Sequence, residues 1–248
     1  KKPAAIRRQV SFCEAVYDKE ITIEGVKARL ITSLDEMDEV IKHGVVPVIV
    51  DPKGESIAKL RPDIVVDAII AKKNLGTFMD MAPLVIGVGP GFTAGEDVDI
   101  VVETMRGHNL ARIIDKGQAL VNTGIPGNIG GYTSERVIHA EAYGFIKNIC
   151  HIGDVVKKGD EIARIYEKYD NNTSESGFQG EYVPVNATIS GIIRGLIRDG
   201  FEVTEGFKIA DIDPREGELK NCFTISDKSR SIGGSVLEAV CSYVSGIN

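Results

Sequence analysis

An internal repeat in the second half of the chain constrains the fold more than any other sequence feature. Residues 144–165 read GFIKNICHIGDVVKKGDEIARI, and residues 191–212 read GIIRGLIRDGFEVTEGFKIADI. The two copies align without a gap at a constant offset of 47 residues, with Gly144 opposite Gly191. Each copy predicts short strands separated by glycine turns. Because one copy is too small to bury its own apolar face, we expect both to pair in one β-sandwich.

The repeat resembles the biotinyl/lipoyl barrel-sandwich hybrid. The resemblance implies an all-β module and raises the function of a swinging-arm carrier. A carrier lysine would project from the hairpin between the copies, one residue further along than Lys168, and the neighbours of Lys168 also differ from those of a carrier lysine. We therefore interpret the module as a scaffold, an interaction surface or the wall of a site.

The first half of the chain alternates apolar runs with polar segments. Runs at residues 45–50, 63–70 and 83–89 are continuous and rich in β-branched residues, which predicts strands of a parallel sheet covered on both faces. Helices are predicted over residues 12–17 (with Ser11 as N-cap), 34–42, 97–105 and 235–243. The predicted fold class is therefore α/β: a Rossmann-like parallel-sheet part followed by the all-β barrel-sandwich hybrid module.

Length and composition set the limits of these predictions. The chain has 248 residues, and we expect three parts: residues 1–138, an α/β domain; residues 139–216, the repeat module; and residues 217–248, a segment and helix that pack back on the α/β part. The net charge of −7 argues against a nucleic-acid partner. No apolar run approaches the ~18 residues of a membrane span. Four cysteines without a C-x-x-C pair, and no signal peptide, favour a cytoplasmic protein.

Two neighbouring segments predict an anion-binding loop. Residues 84–106 read LVIGVGPGFTAGEDVDIVVETMR, in which Gly89, Gly91 and Thr93 are expected to expose backbone N–H groups at a helix start. The spacing matches neither a Walker A loop nor G-x-G-x-x-G, and a plain tight turn is the alternative. The second segment follows the run at 63–70, where open α/β sheets bind ligands; its candidate ligand-binding residues are Lys72, Lys73, Asn74 and Thr77.

Acid, base and imidazole groups lie at the end of the predicted helix 97–105 and directly after it. Glu103, Arg106 and His108 are candidate catalytic residues for proton transfer or oxyanion binding. The alternative is structural, with Arg106 and His108 binding carbonyls at a helix C-terminus and Gly107 in the left-handed conformation.

The densest glycine and hydroxyl loop covers residues 122–136, NTGIPGNIGGYTSER. Packing does not explain this composition, so we predict that the loop binds a ligand through Thr133, Glu135 and Arg136. Metal binding is not predicted, because the four histidines lack ligand spacing and His139-Ala140-Glu141 has no P-C-x-x-C partner. Cys222 has two possible roles. It is a thiol that holds sulfur or selenium, or it is a buried structural cysteine.

Several of these motifs together resemble one family. The segments DAIIAKKNLGT, LVIGVGPGFTAGEDVDIVVETMRGH, NTGIPGNIGGYTSERV, FKIADIDPR and CFTISDKSRSIGG are similar to the accessory proteins of selenium-dependent molybdenum hydroxylase systems, the YqeB-type family. The resemblance covers nearly the whole chain. It implies that a Rossmann-type opening unit precedes Lys1 in the family and is missing here.

The resemblance implies a maturation factor for molybdenum hydroxylases. Its partner would be the hydroxylase apoprotein, and its ligand a small anion: a phosphate-bearing nucleotide or a molybdopterin-type cofactor bound in the Gly-rich cleft. Homo-oligomers are compatible with this prediction. Two alternatives stay open: a non-catalytic chaperone that docks through the repeat module, and selenium or sulfur transfer through Cys222. Whether the protein is an enzyme is left undecided.

Overall fold

The computed structural model describes residues 3–124, 127, 129–170 and 177–246. Seventeen strands in this part of the chain are, in order, β1 Glu20–Ile23, β2 Val26–Leu30, β3 Val46–Val48, β4 Ile64–Asp67, β5 Leu84–Val88, β6 Thr93–Ala94, β7 Ile100–Val102, β8 Ile113–Ile114, β9 Gly117–Gln118, β10 Val137–His139, β11 Gly144–Asn148, β12 Val155–Val156, β13 Glu161–Tyr169, β14 Phe178–Asn186, β15 Gly191–Leu196, β16 Glu202–Val203 and β17 Lys208–Asp213. The α-helices are α1 Ala15–Asp18, α2 Met37–Lys42, α3 Glu55–Leu60 and α4 Asp227–Ser245. Short 3-10 turns cover Arg8–Val10, Phe12–Glu14, Leu34–Glu36, Met79–Met81, Ser134–Arg136 and Glu216–Cys222.

The chain divides into two compact units, each formed from two separate stretches. Unit 1 comprises residues 1–50 and 126–224, and unit 2 comprises residues 51–125 and 225–248. The division of the sequence at residues 138 and 216 stays a prediction.

Unit 1 contains the repeat, and the two copies exchange strands. The first copy supplies β11, β12 and β13, and the second supplies β15, β16 and β17, whose first residues follow at the same offset. The antiparallel sheets have the orders β10-β17-β15-β12 and β14-β13-β11-β16. Strand β12 therefore pairs with the second copy and β16 with the first, so neither copy completes a sheet alone.

The repeated aliphatic residues form the core of unit 1. Ile146, Ile162, Ile193 and Ile209 are each at most 1% exposed and belong to one apolar cluster. Burying an isoleucine side chain contributes about 1.5–3 kcal/mol, which makes the repeated positions the main source of stability here. The remaining sheet of the unit has the order β1-β2-β3, with an antiparallel first pair and a parallel second pair.

Unit 2 is built around one mixed sheet with the order β4-β5-β7-β8. The first three strands are parallel, and β8 is antiparallel to β7. Helix α4 packs on one face through Ile232, Val236, Ala239 and Val240, which join an apolar cluster with sheet residues such as Ile86. A second cluster around Val85, Phe92 and Val98 covers the other face.

The predicted fold class is wrong. Instead of a Rossmann-like sheet with alternating helices, the described residues form several small mixed and antiparallel sheets with few helices. Nor does unit 1 match an isolated biotinyl/lipoyl barrel-sandwich module, because β10 begins before residue 139 and pairs with β17, and Ile6, from the first fifty residues, packs against the core. The Rossmann prediction fails most clearly at residues 97–105, where β7 replaces the predicted helix. Val98, Val101 and Val102 are fully buried there, and β-branched residues favour a strand.

Helices elsewhere also differ from the sequence predictions. Residues 12–17 form a 3-10 turn followed by α1, and no Ser11 side chain caps the helix start. The predicted helix 235–243 begins earlier, at Asp227, with Ser226 as its N-cap. The sequence places Val236, Leu237, Val240 and Val244 on one apolar face of this helix, but Leu237 is 62% and Val244 73% exposed, so only part of that face packs.

Candidate functional site

The carboxyl ends of β4, β5 and β7 lie at one edge of the unit 2 sheet, because these strands are parallel. Ligands of open parallel sheets bind at this edge. Two of the predicted segments follow these strands directly: the loop with Lys72 and Lys73 follows β4, and the turn with Gly89 and Gly91 follows β5.

The loop after β4 is held in an unusual conformation. Ile70 and Lys72 have positive φ angles of 58° and 62°, which are uncommon for residues other than glycine. Asn74 Oδ1 accepts hydrogen bonds from the backbone N–H groups of Gly76 and Thr77, and the Thr77 hydroxyl donates to Asp67 Oδ2 at 2.6 Å. Asn74 and Thr77 therefore stabilise the loop, and a direct contact of either with a ligand stays a prediction.

The turn after β5 packs against this loop without room for a side chain. A Cβ atom on Gly91, whose φ is +113°, would lie 2.6 Å from the Cα of Lys73. The neighbouring Thr93 N–H donates to the Asp97 carboxylate at 2.9 Å, and Gly89 N–H donates to the Val102 carbonyl. These two backbone donors of the predicted anion-binding loop are already paired within the protein.

Glu103 lies directly after β7 and is only 2% exposed. Its Oε1 accepts hydrogen bonds from Thr104 and Met105 N–H at 2.7 Å, and its Oε2 accepts one from Leu120 N–H at 2.8 Å. This carboxylate therefore links two backbone segments, residues 104–105 and Leu120, at the edge of the sheet. His108 is exposed on the turn that follows, and its predicted catalytic role stays a prediction.

Arg106 connects this edge to helix α4. Its guanidinium donates two hydrogen bonds to Asp227, the first residue of α4, at 2.7 and 2.8 Å. The pair raises the pKa of Arg106. The N-terminus of α4, with its partial positive charge, is thereby fixed at the carboxyl end of β7.

Lys228, which the sequence predictions missed, completes a cationic cluster. Burial lowers the pKa of its amine, and the charges of Arg106 and Lys72 lower it further, against the opposite effect of Glu103 and Asp227. In one orientation of the Asn122 side-chain amide, its oxygen accepts a hydrogen bond from the Lys72 amine at 3.1 Å and another from the Gly124 backbone N–H. We call Lys72, Arg106 and Lys228, with the carboxylates of Glu103 and Asp227, the edge cluster. The sequence feature that could have identified Lys228 is Ser226, which caps the N-terminus of α4 directly before Asp227 and Lys228.

The other predicted ligand-binding residues lie in unit 1. The Thr133 backbone N–H and hydroxyl donate to Glu135 Oε2, so these two residues pair with each other. Arg136 is 5% exposed and donates to Asp211. Within the predicted loop 122–136, residues 125, 126 and 128 lie outside the described residues.

Cys222 does not have the environment of a reactive thiol. It is 1% exposed, and burial raises its pKa, although Arg7 and Arg194 act in the opposite direction. A reactive cysteine is accessible and has a lowered pKa. The prediction of selenium or sulfur transfer through Cys222 is therefore wrong.

Grooves and metal ligands give no better candidate. A groove of about 550 Å³ in unit 2 lies at the amino ends of β4 and β5, beside Asp63 and Pro83, away from the edge where parallel sheets bind ligands. Among residues 3–124, 127, 129–170 and 177–246, no three histidine, cysteine or acidic side chains form a metal-binding group.

In the same part of the chain, no helix has the length and apolar character that a membrane crossing requires.

Comparison with known proteins gives one close relative in sequence. The chain is 49% identical over 239 residues to the protein named YqeB, described as uncharacterized, from Escherichia coli strain K12. The match covers 96% of this chain and 41% of the relative, so the chain spans about two fifths of the length of the curated relative it matches. No protein-family model matches the chain. The sequence resemblance to YqeB is thus supported, while a link to selenium or molybdenum is not.

Solved structures resemble only parts of the chain. An aspartoacylase family protein from Mesorhizobium loti is 14% identical to this chain, and the match covers 33% of this chain and 24% of that protein, with a TM-score of 0.27. A succinylglutamate desuccinylase from Silicibacter sp. TM1040 is 15% identical, and the match covers 53% of this chain and 45% of that protein, with a TM-score of 0.26. The ectoine utilization protein EutE from Ruegeria pomeroyi is 18% identical and covers 41% and 28%, also with a TM-score of 0.26. These values are too low to carry the fold or activity of those proteins over to this chain.

The predicted maturation role is contradicted. The solved structures reported above are named as aspartoacylase, succinylglutamate desuccinylase and ectoine utilization proteins, and the sequence relative is described only as uncharacterized. Residues predicted for the Gly-rich cofactor cleft have partners within the protein: Asp97 and Val102 accept hydrogen bonds from the N–H groups of Thr93 and Gly89, and Arg136 donates to Asp211. Their contact with a ligand stays a prediction. With the fold class corrected, docking of the hydroxylase through a barrel-sandwich module loses its basis as well.

Proposed function

We propose that unit 2 binds a small organic carboxylate at the edge cluster. The observation that carries the proposal is the Arg106–Asp227 ion pair, which fixes the first residues of α4, Asp227 and Lys228, at the edge where β4, β5 and β7 end. Lys72 lies in the loop after β4 at the same edge. Binding at this edge is the usual arrangement in open parallel sheets, and the helix terminus adds to the attraction of an anion.

The charge of the edge cluster favours an anion with a single negative charge. Three cationic side chains face two carboxylates, Glu103 and Asp227, so one positive charge remains when Lys228 is protonated. The Glu103 carboxylate is saturated by three backbone donors. Bound carboxylate would restore neutrality and accept hydrogen bonds from Lys72 and Lys228, which are strong because both partners are charged.

Lys228 gives the site a titratable amine in addition to its role in binding. Because burial and neighbouring cations lower its pKa, a larger fraction of this amine is neutral near neutral pH than in an ordinary lysine. A bound carboxylate would stabilise the ammonium form and raise that pKa again. Ligand binding and protonation of Lys228 are therefore coupled in this proposal.

Isothermal titration with acetate, pyruvate and benzoate tests the proposal. We expect saturable binding of at least one of these monocarboxylates, weakened roughly tenfold by Lys72→Met and by Lys228→Met, because a hydrogen bond to a charged group is worth about 1.5–3 kcal/mol. Lys59→Met, which removes an exposed lysine of α3, is the matched control and should leave binding unchanged. Equal affinities in all four proteins would refute the proposal.

A further inference from the structure

A second group of cations lies in unit 1, on the outward side of strand β17. Arg136 Nη1 donates to Asp211 Oδ1 at 2.9 Å, and Arg194 Nη1 lies 3.8 Å from Asp211 Oδ2. The side chains of Arg136 and Asp211 are 6% and 9% exposed, and that of Arg194 is 16% exposed. These groups form a nearly buried cluster that the proposed function does not use.

The N-terminal arm brings a third arginine to the same cluster. Leu196 N–H donates to the Ile6 carbonyl at 2.9 Å, so the arm runs along β15. The next residue, Arg7, donates from Nη2 to the carbonyls of Asn221 and Thr224 at 2.8 and 3.1 Å. Burial lowers the pKa of Arg7 and the charge of Arg194 lowers it further, whereas Asp211 acts in the opposite direction.

The charges of this cluster do not balance. Asp213 is already paired with Arg215, whose Nε and Nη2 donate to it at 2.9 and 2.7 Å. Asp213 also acts on Arg7 and Arg194. The four guanidinium groups of Arg7, Arg136, Arg194 and Arg215 therefore face two carboxylates, those of Asp211 and Asp213, which leaves two positive charges among these six side chains. Buried charges are costly unless they are compensated.

The same three arginines also have unused donors. Among the described residues, the Nε atoms of Arg7, Arg136 and Arg194 are buried and have no hydrogen-bond partner. Such atoms are rare in folded proteins. Water would satisfy the donors but would leave the two positive charges uncompensated, whereas an oxyanion with two negative charges would satisfy both. Guanidinium groups suit this role because their planar donors match oxyanion geometry.

We propose that Arg7, Arg136 and Arg194 together bind a small tetrahedral dianion, of the class of phosphate and sulfate, beside Asp211 in unit 1. The ion would hold the N-terminal arm, the turn Ser134–Arg136 and the strand β15 together. The site is distinct from the edge cluster in unit 2, and it takes a doubly charged inorganic ion rather than an organic carboxylate.

Thermal unfolding and isothermal titration of the full chain with sodium phosphate and sodium sulfate, at constant ionic strength set with chloride, test the proposal. We expect a saturable rise of Tm with both dianions and none with chloride at the same ionic strength. Arg194→Gln and Arg7→Gln should weaken phosphate binding at least tenfold. Lys228→Met, in the edge cluster, and Arg164→Gln, on an exposed pair with Glu161, should leave it unchanged.

Three results would overturn the proposal. The first is an equal effect of chloride, phosphate and sulfate on wild-type Tm. The second is loss of the phosphate effect in Lys228→Met with retention in Arg194→Gln, which would move the binding to unit 2. The third is a crystal structure of the wild-type protein soaked in sulfate in which only water lies at the Nε atoms of Arg7, Arg136 and Arg194. This test does not depend on the folding of any variant. If Arg194→Gln does not fold, Arg194→Lys retains the charge without the planar donors, and wild-type affinity in that variant would equally refute the proposal.

Discussion

Arg106 and Asp227, which lie 121 residues apart in sequence, form a two-fold hydrogen-bonded ion pair at 2.7 and 2.8 Å. Their side chains are 43% and 72% exposed, so solvent screens the attraction between them. An exposed ion pair contributes about 0–1 kcal/mol to stability. Its main consequence is geometric, since it fixes the first turn of α4 beside the carboxyl end of β7.

Replacing Arg106 should therefore separate binding from stability. We expect Arg106→Gln to lower the free energy of unfolding by no more than about 1 kcal/mol and to weaken monocarboxylate binding roughly tenfold. Urea denaturation and isothermal titration measure the two effects. Arg164→Gln, which breaks a partly exposed pair in unit 1, should change stability equally little and leave binding intact. Unchanged affinity in Arg106→Gln would argue against a role of this residue in the site.

Replacing Asp211 should have a much larger effect on stability. Asp211→Asn removes the charge that partly compensates Arg136 and Arg194 in a nearly buried environment. Breaking a buried ion pair typically costs about 3–5 kcal/mol. Glu161→Gln removes the partner of Arg164, where both side chains are about one third exposed, and is the matched control. Similar midpoints of urea denaturation for both variants would contradict this account of the cluster.

The repeat predicts equal sensitivity at equivalent glycines. A Cβ atom on Gly144 would collide with the Tyr166 carbonyl oxygen, and one on Gly191 with the Asp213 carbonyl oxygen, at φ angles of 155° and 153°. We expect Gly144→Ala and Gly191→Ala each to cost at least about 1–3 kcal/mol, the range for overpacking. Gly159 and Gly206, the last equivalent pair of the repeat, have no atom within 4 Å of such a Cβ, so alanine there should cost only about 1 kcal/mol of backbone strain. Calorimetry of the four variants would reject the idea if the two pairs were indistinguishable.

The lowered pKa of Lys228 predicts a pH dependence of stability. Between that folded-state pKa and the ordinary value of 10.5, the unfolded chain binds more protons at this residue than the folded chain does. The free energy of unfolding contributed by Lys228 therefore rises as pH increases through this interval. In Lys228→Met the rise should be smaller. Urea denaturation at several alkaline pH values tests this, and parallel curves for the two proteins would show that Lys228 does not titrate as inferred.

The sequence predicted strands well where apolar runs were continuous. The runs at 63–70 and 83–89 contain β4 and β5, which pair in parallel. The segment 97–105 misled because it looked like an amphipathic helix with an acidic start. Its carboxylates are those of Asp97, Asp99 and Glu103. In the structure these carboxylates accept hydrogen bonds from backbone N–H groups of other loops and strands, including Asp99 Oδ2 from Val85 at 2.7 Å. Such long-range pairing cannot be read from local periodicity.

The candidate site was only partly accessible to sequence reasoning. Lys72 was identified because it follows a predicted strand, and Arg106 because it lies at the end of a predicted helix between Glu103 and His108. Lys228 was missed because Gly233 and Gly234 suggested a helix start at Ser235, whereas α4 tolerates both glycines in its interior. Arg136 was assigned to a ligand site in an exposed loop, yet its side chain turns inward to Asp211, a partner 75 residues away.

NMR titration of the Lys228 amine, followed at its Nζ signal with and without a saturating monocarboxylate, tests the central claim most directly. We predict a pKa below the ordinary value of 10.5 in the free protein and a higher one in the presence of the carboxylate, because a nearby anion stabilises the ammonium form. An identical titration curve with and without the carboxylate would contradict binding at the edge cluster.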